Sequence, residues 1–322
     1  MMKNIFNKIP FLEKLKAQND ALIHDNQSLK RDLHELNKRI NDLKAEKQSY
    51  YEYVPPGHFH SPILSKKEVD EIHEIPLPES LPGIDLNPEK QIGLFRSFEK
   101  FYDELPFDDH ATQGLRYYYQ NPSYSYSDGI MLYCMIRHLK PGQIIEAGSG
   151  HSSSLILDTN QIYFNKSIRC TFIEPYPQLL YSLLKDEDRT YVKIIKSKLQ
   201  DIPIGTFEKL TANDMLFIDS THVSKHNSDV NYLIHEILPR LNSDVYIHIH
   251  DVFYPFEYPK AWFQEGRAWN EQYILRAFLE FNDQFEIVLF NTFLQHTFRD
   301  KLHQRFPLLY KNQGGSIWLK RK

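Results

Sequence analysis

The sequence is poor in cysteine, nearly balanced in charge and free of long apolar runs, and each shortage excludes something. Only two cysteines occur, Cys134 and Cys170, both inside apolar segments. That argues against a disulfide framework or a cysteine-built metal site and places both thiols in a reduced core. The formal net charge is −4 over 322 residues, too balanced for a general nucleic-acid or membrane-surface binder. No apolar run approaches the roughly 20 residues that cross a bilayer. The N-terminus lacks an uninterrupted apolar signal core. These absences lead to the expectation of a cytoplasmic protein with no membrane span. What is abundant is core-forming material, 41% hydrophobic and 14% aromatic. The length suits one large domain with appendages, or two domains.

Three regions follow along the chain. Residues 1–49 carry a heptad repeat: Leu15, Leu22, Leu29, Leu36 and Leu43 fall every seven residues. Their companion seam positions hold Leu12, Asn19, Asn26, Leu33, Ile40 and Lys47. Leucine on one seam position and asparagine at some of the other is the pattern of a parallel two-stranded coiled coil, in which buried asparagine fixes register. The expectation is a homodimer through residues 12–47, or a coiled-coil partner. Residues 1–11 carry only Lys3 and Lys8 as basic residues, so no basic region exists to read a DNA groove. Residues 50–90 form a proline-rich connector or cap, with Tyr53 to Pro62 too aromatic for a solvated linker.

Residues 91–322 read as the chemical domain. Helices are expected through Phe95–Leu105, Arg116–Tyr126 and Asp128–Leu139. Strands are then expected at Gln143–Ala147, Arg169–Glu174, Tyr191–Lys196, Met215–Ile218 and Val245–His250. Helices at Ser152–Asn160, Pro177–Leu184 and Ser228–Leu241 alternate with them. Two further strands, Phe285–Asn291 and Ser316–Lys320, follow a helix at Glu271–Phe281. Such alternation predicts an α/β fold with a Rossmann-like, doubly wound seven-stranded sheet, whose ligands lie at the carboxyl ends of the strands.

Two glycines spaced by one residue end the first strand, in Glu146-Ala147-Gly148-Ser149-Gly150-His151-Ser152-Ser153. That is a tight turn opening a helix, whose unpaired N–H groups and close backbone suit a nucleotide-like ligand. Glu174 ends the second strand, 24 residues after Gly150, where an acid can accept from both hydroxyls of a ribose. NAD and S-adenosylmethionine both carry such a ribose. A dinucleotide loop wants a third glycine where Ser153 stands, and Glu146 would repel a pyrophosphate but suit a cationic methionyl group.

The stretch resembles the first motif, E/D-x-G-x-G, of class I S-adenosylmethionine-dependent methyltransferases. Glu174 matches the ribose-binding acid of the second motif, and the two terminal strands match that family's antiparallel hairpin. The resemblance covers about residues 125–322. It implies S-adenosylmethionine as cofactor, held by Glu146, Gly148, Gly150, Ser152, Glu174 and Asp219.

The opposite side of the cleft is expected at the ends of the fourth and fifth strands. Asp219 ends one, with His222 three residues on; His250 and Asp251 end the other. Alternation puts His248 and His250 on one face. Such a cluster permits a divalent ion that orients a hydroxyl, or a histidine that removes its proton. The pattern resembles metal-dependent O-methyltransferases acting on sugars, and also a bacterial family linked to surface-glycan synthesis. The resemblance implies Asp219 and Asp251 as ligands of Mg²⁺ or another divalent ion, joined here by His250 where those enzymes have Glu. It implies Asp219 and His222 as the catalytic pair, His222 being the base.

Tyrosines in 116–126 and the aromatic run after Asp251, with Trp262 and Trp269, suit a sugar or aromatic acceptor. The function expected is thus O-methyl transfer to a hydroxyl, of a sugar in a surface glycan or its precursor. The rivals are a nicotinamide oxidoreductase, a metal-dependent hydroxylase on a similar fold, and a non-catalytic coiled-coil scaffold.

Overall fold

A computed structural model of the chain describes residues 9–49, 53–73 and 76–322, with the backbone alone at residue 9 and at 45–49. Lys3, Lys8 and the side chain of Lys47 lie outside the described residues, as do residues 50–52 and 74–75 of the connector. By packing, the chain divides into two units, 1–68 and 69–322.

In the first unit helix α1 runs from Ile9 to Ser49, 41 residues long. Pro10 sits in its first turn, where a missing N–H costs nothing, and no proline or glycine interrupts it afterwards. All five seam leucines are exposed, from 46% at Leu15 to 67% at Leu29. No helix of the described residues is long and apolar enough to cross a membrane.

In the second unit, α2 (Pro88–Ser97) starts at a proline earlier than Phe95. A helix expected over Arg116–Tyr126 is absent. Arg116 and Tyr117 give their backbone N–H groups to Asp158, at 2.7 and 2.8 Å. Asn121 Oδ1 accepts from the backbone of Ser123 and Tyr124 in an Asx turn. Side-chain acceptors thus take the N–H groups a helix would need, and Pro122 blocks it further. Helix α3 (Tyr126–Leu139) follows.

Strands β1 (Gln143–Ala147), β2 (Arg169–Ile173), β3 (Val192–Ile195), β4 (Met215–Ile218) and β5 (Tyr246–His250) are parallel. Between them lie α4 (His151–Phe164) and α5 (Gln178–Leu183). The helix expected over Ser228–Leu241 is instead a turn of α-helix, a wide π turn over Leu233–Ile237 and a 3₁₀ turn over Leu238–Arg240. Pro239 lacks the N–H that a continuous α-helix requires there. Helix α6 (Glu271–Leu279) leads to β6 (Phe285–Phe290), and β7 (Ser316–Arg321) pairs antiparallel with both β5 and β6.

The sheet order is β3-β2-β1-β4-β5-β7-β6. Ile144, Ile145, Leu216, Phe217, Ile247 and Ile249 are wholly buried, as strands covered on both faces must be. The order reverses between β1 and β4. Their registers pair Ala147 with Ile218 and Ile218 with Ile249. The glycine turn, Asp219 and His250 therefore leave the sheet side by side at its carboxyl edge.

Candidate active site at the carboxyl edge of the sheet

Gly148 turns the chain out of β1 with φ +82, and a Cβ there would sit 1.5 Å from the backbone oxygen of Asp219. Only glycine fits. Asp219 N donates to Ala147 O at 2.9 Å, so the two strand ends are stitched together. Gly150 opens α4, its N–H donating to Ser153 Oγ at 3.1 Å. Glu174, one residue past β2, accepts from Ser149 N at 3.1 Å and Tyr176 N at 2.8 Å. A cavity of about 150 Å³ lies against this turn, lined by Gly148, Ser149, Gly150, Ser152, Glu174 and Asp219. Ser123, Tyr124, His151 and Leu179 complete its wall.

Glu146 is not in that wall. It is wholly buried and accepts from Ser152 Oγ and Ser153 Oγ, both at 2.5 Å. Burial pushes its carboxyl up to about 8, against the pull of the two hydroxyls. Its visible work is to tie the end of β1 to the start of α4.

Beyond the turn, two imidazoles and four carboxylates form one chain of contacts. His222 Nε2 is 3.3 Å from Asp219 Oδ1 and 3.5 Å from Asp251 Oδ2, while its Nδ1 is 2.8 Å from Glu271 Oε2. His250 Nδ1 is 3.4 Å from both Asp219 Oδ1 and Asp251 Oδ1, and its Nε2 is 3.5 Å from Asp128 Oδ2. Each ring is thus held between an outer buried acid and the inner pair Asp219 and Asp251. Burial alone would lower His222, but Asp219 and Glu271 hold it up at about 10. Burial opposes charge on His250 as well, yet Asp219, Asp251 and Asp128 raise it far above the usual imidazole range. The same two cations hold Asp219 well below the carboxylate range despite its own desolvation.

Asp219, His222 and Asp251 each present one ligand atom, all within 4.8 Å of one another. Two oxygens and an imidazole nitrogen so grouped match the donor set of a divalent ion. His250, the histidine expected in that set, stands beside the same two carboxylates through Nδ1. Among the described residues it makes no hydrogen bond through that atom.

Sequence reasoning missed Asp128 and Glu271. Asp128 takes the N–H of Gly315 at 3.0 Å, Ser316 Oγ at 2.7 Å and Asn291 Nδ2 at 3.0 Å besides facing His250. The only local sign was an acid within the otherwise apolar face of α3, since a buried carboxylate needs partners. Glu271 lies in the first turn of α6, where an acid reads as ordinary helix-dipole compensation. The backbone N–H groups of Asn270 and Glu271 both donate to His222 O at 3.1 Å, which fixes the approach of that helix.

The aromatic residues divide. Tyr117, Tyr119, Tyr124 and Tyr126 are buried, so most of the tyrosine run is core. Tyr124 still reaches the cavity. His248 stacks on Phe217, at 4.0 Å and 5°, and burial lowers it to about 3, a neutral core histidine. Trp269 packs 4.4 Å from the ring of His222, and Trp262 lies 5.1 Å from Trp269. Both indoles are half-buried.

A family model described as a methyltransferase domain matches residues 145–252, from β1 to just past β5. An uncharacterised protein of Archaeoglobus fulgidus is 32% identical over 167 residues, which cover 49% of this chain and 74% of that protein. Among solved structures, the O-methyltransferase TomG of Streptomyces achromogenes, in complex with S-adenosylmethionine, is 15% identical with a TM-score of 0.41. That match covers 74% of this chain and 92% of TomG. The Podospora anserina methyltransferase PaMTH1, bound to S-adenosylhomocysteine, is 14% identical with a TM-score of 0.38, covering 71% of this chain and 87% of PaMTH1. The chain belongs to the same family as the archaeal protein, and its residues 145–252, on a β3-β2-β1-β4-β5-β7-β6 sheet, form a methyltransferase domain.

Proposed function

We propose that this protein transfers a methyl group from S-adenosylmethionine to a hydroxyl, of a sugar in a surface glycan or its precursor. The observation that carries the proposal is the double membership of Asp219. It lines the cavity at the glycine turn, and it is the inner carboxylate of the histidine–acid cluster. A donor in the cavity and an acceptor at the cluster would meet across one side chain.

The turn fits the cofactor. Gly148 leaves the cavity floor without a side chain, and Glu174 keeps unused lone pairs for ribose hydroxyls after serving two backbone N–H groups. Ser149 Oγ and His151 Nδ1 have no hydrogen-bond partner among the described residues, as groups awaiting a ligand would not. Bound there, S-adenosylmethionine supplies an electrophilic methyl on a sulfonium. Transfer then needs the acceptor held in line and its proton removed. The half-buried indole of Trp269 beside His222, packed with Trp262 under the Arg267 guanidinium, would offer an aromatic and cationic rim for a sugar ring.

Removal of the proton falls to His222 Nε2, because Glu271 occupies Nδ1. A base must first be neutral, so His222 has to lose the proton that Asp219 and Glu271 favour. The second use of Nε2 is as a ligand. Asp219, His222 and Asp251 would hold a divalent ion, which would acidify the acceptor hydroxyl as a Lewis acid. One nitrogen cannot serve both uses at once.

Calorimetry with S-adenosylmethionine tests the cofactor, with binding expected for the native protein and weakened at least tenfold in Glu174→Ala. No heat of binding at millimolar cofactor would sink the proposal. Transfer of labelled methyl to a panel of nucleotide sugars tests the acceptor. Repeating it with chelator separates the two uses of Nε2: loss restored by Mg²⁺ marks a ligand, unaffected transfer marks a base.

A further inference from the structure

The strongest feature outside the active site is the apolar seam of α1, and we infer that it is covered by a second copy of the same helix, parallel and in register. The inference does not depend on the methyltransferase reading. Leu15, Leu22, Leu29, Leu36 and Leu43 are each at least 46% exposed on one stripe of a single helix. Leucines left in water at strict seven-residue spacing mark a seam built for another helix.

The asparagines name the occupant. In a parallel, in-register pair each seam residue faces its own counterpart, so Asn19 meets Asn19 and Asn26 meets Asn26. A primary amide both donates and accepts, and two copies satisfy each other. An antiparallel pair with the same overlap would place Asn19 against Leu36 and Asn26 against Leu29, burying four amides against leucine. A shift by one heptad saves a single asparagine contact and strands the others against Leu12 and Leu33. A partner of different sequence would need its own polar residues at both levels.

The flanking charges give further support. Parallel pairing sets Asp25 beside Lys30 of the second copy, an opposite-charge contact made twice by symmetry. Arg39 and Lys44 of the second copy are the like-charged exception. They flank the heptad where Leu36, Ile40 and Leu43 make the seam continuously apolar. Ile23, 49% exposed beside Leu22, widens the seam near Asn26.

Light scattering on the 322-residue chain at micromolar concentration should give twice the 38.3 kDa of one chain. The mass of a single chain would overturn the inference. Direction is read by disulfide trapping with Leu15→Cys and Leu43→Cys, the native Cys134 and Cys170 being buried. Each variant alone should cross-link to a dimer under mild oxidation. Cross-linking only when the two variants are mixed would mean antiparallel pairing and refute the register. The double variant Asn19→Leu, Asn26→Leu should remain associated while losing its fixed stoichiometry. An unchanged two-chain mass for that variant would remove the asparagines from the argument and overturn the assignment of register to them.

Discussion

Replacing Gly148 by alanine tests whether the turn works through close backbone approach. A Cβ at this position would stand 1.5 Å from Asp219 O and 2.5 Å from Asp219 C. Neither atom is the mobile end of a side chain, and Asp219 N is bonded to Ala147 O. The backbone of β4 or of the turn must therefore move. The left-handed φ of +82 costs an alanine about 1–2 kcal/mol. Forcing extra volume into a packed site adds about 1–3 kcal/mol. Together the loss should be about 2–5 kcal/mol. Gly150→Ala is the matched control. Its Cβ meets Leu179 Cδ2 at 3.4 Å, an ordinary contact with a flexible side chain, so the cost should be about 1 kcal/mol or less. Urea unfolding followed by circular dichroism measures both. Binding calorimetry on whatever Gly148→Ala protein remains folded should show cofactor affinity lost, since Asp219 has been displaced. A Gly148→Ala midpoint equal to that of the native protein would refute the reasoning, and so would equal losses in the two variants.

Two titrations can be checked independently. Glu271→Gln removes one of the carboxylates that hold His222 at about 10, so an NMR titration of that imidazole should move toward its ordinary 6.5; an unmoved value would free His222 from Glu271. The raised His222 contributes stability that is complete below about 6.5 and lost as pH rises toward 10, and Glu271→Gln should flatten that loss. Glu146, held near 8 by burial, behaves with the same sign: its contribution is full below about 4.5 and disappears as pH rises through 8. Glu146→Gln should therefore remove a slope of roughly 1 kcal/mol per pH unit between 4.5 and 8. Parallel stability curves for the two proteins would refute the buried, proton-retaining carboxyl.

The strands were legible because each is a short apolar run bounded by turn residues. Gln143–Ala147 and Met215–Ile218 occur over the spans the sequence predicts. The convergence of Asp219, His222, His250 and Asp251 followed from strand order alone. Arg116–Tyr126 was misread because its helix-compatible residues are overruled by acceptors the local sequence cannot display, Asp158 above all. Glu146 shows the same limit at closer range. Next to a glycine turn an acid reads as a ligand contact, but α4 folds two hydroxyls back onto it. Asp128 and Glu271 were illegible because each belongs to a helix far from the strands it serves. Only tertiary packing brings them to the imidazoles.

The placement of β7 bears on how such a site comes into being. That strand is inserted between β5 and β6, and its first residue, Ser316, together with Gly315 just before it, binds the carboxylate that faces His250. A nascent chain that has made β1 to β5 already holds Asp219, His222, His250 and Asp251. It still lacks the wedge that closes the edge of β5 and gives Asp128 two of its partners. The site is therefore assembled out of sequence order, its chemical residues early and their brace late. Catalytic competence should arrive with the docking of β7 rather than with the formation of the parallel sheet, and the half-finished edge of β5 is the surface a folding chain has most need to protect.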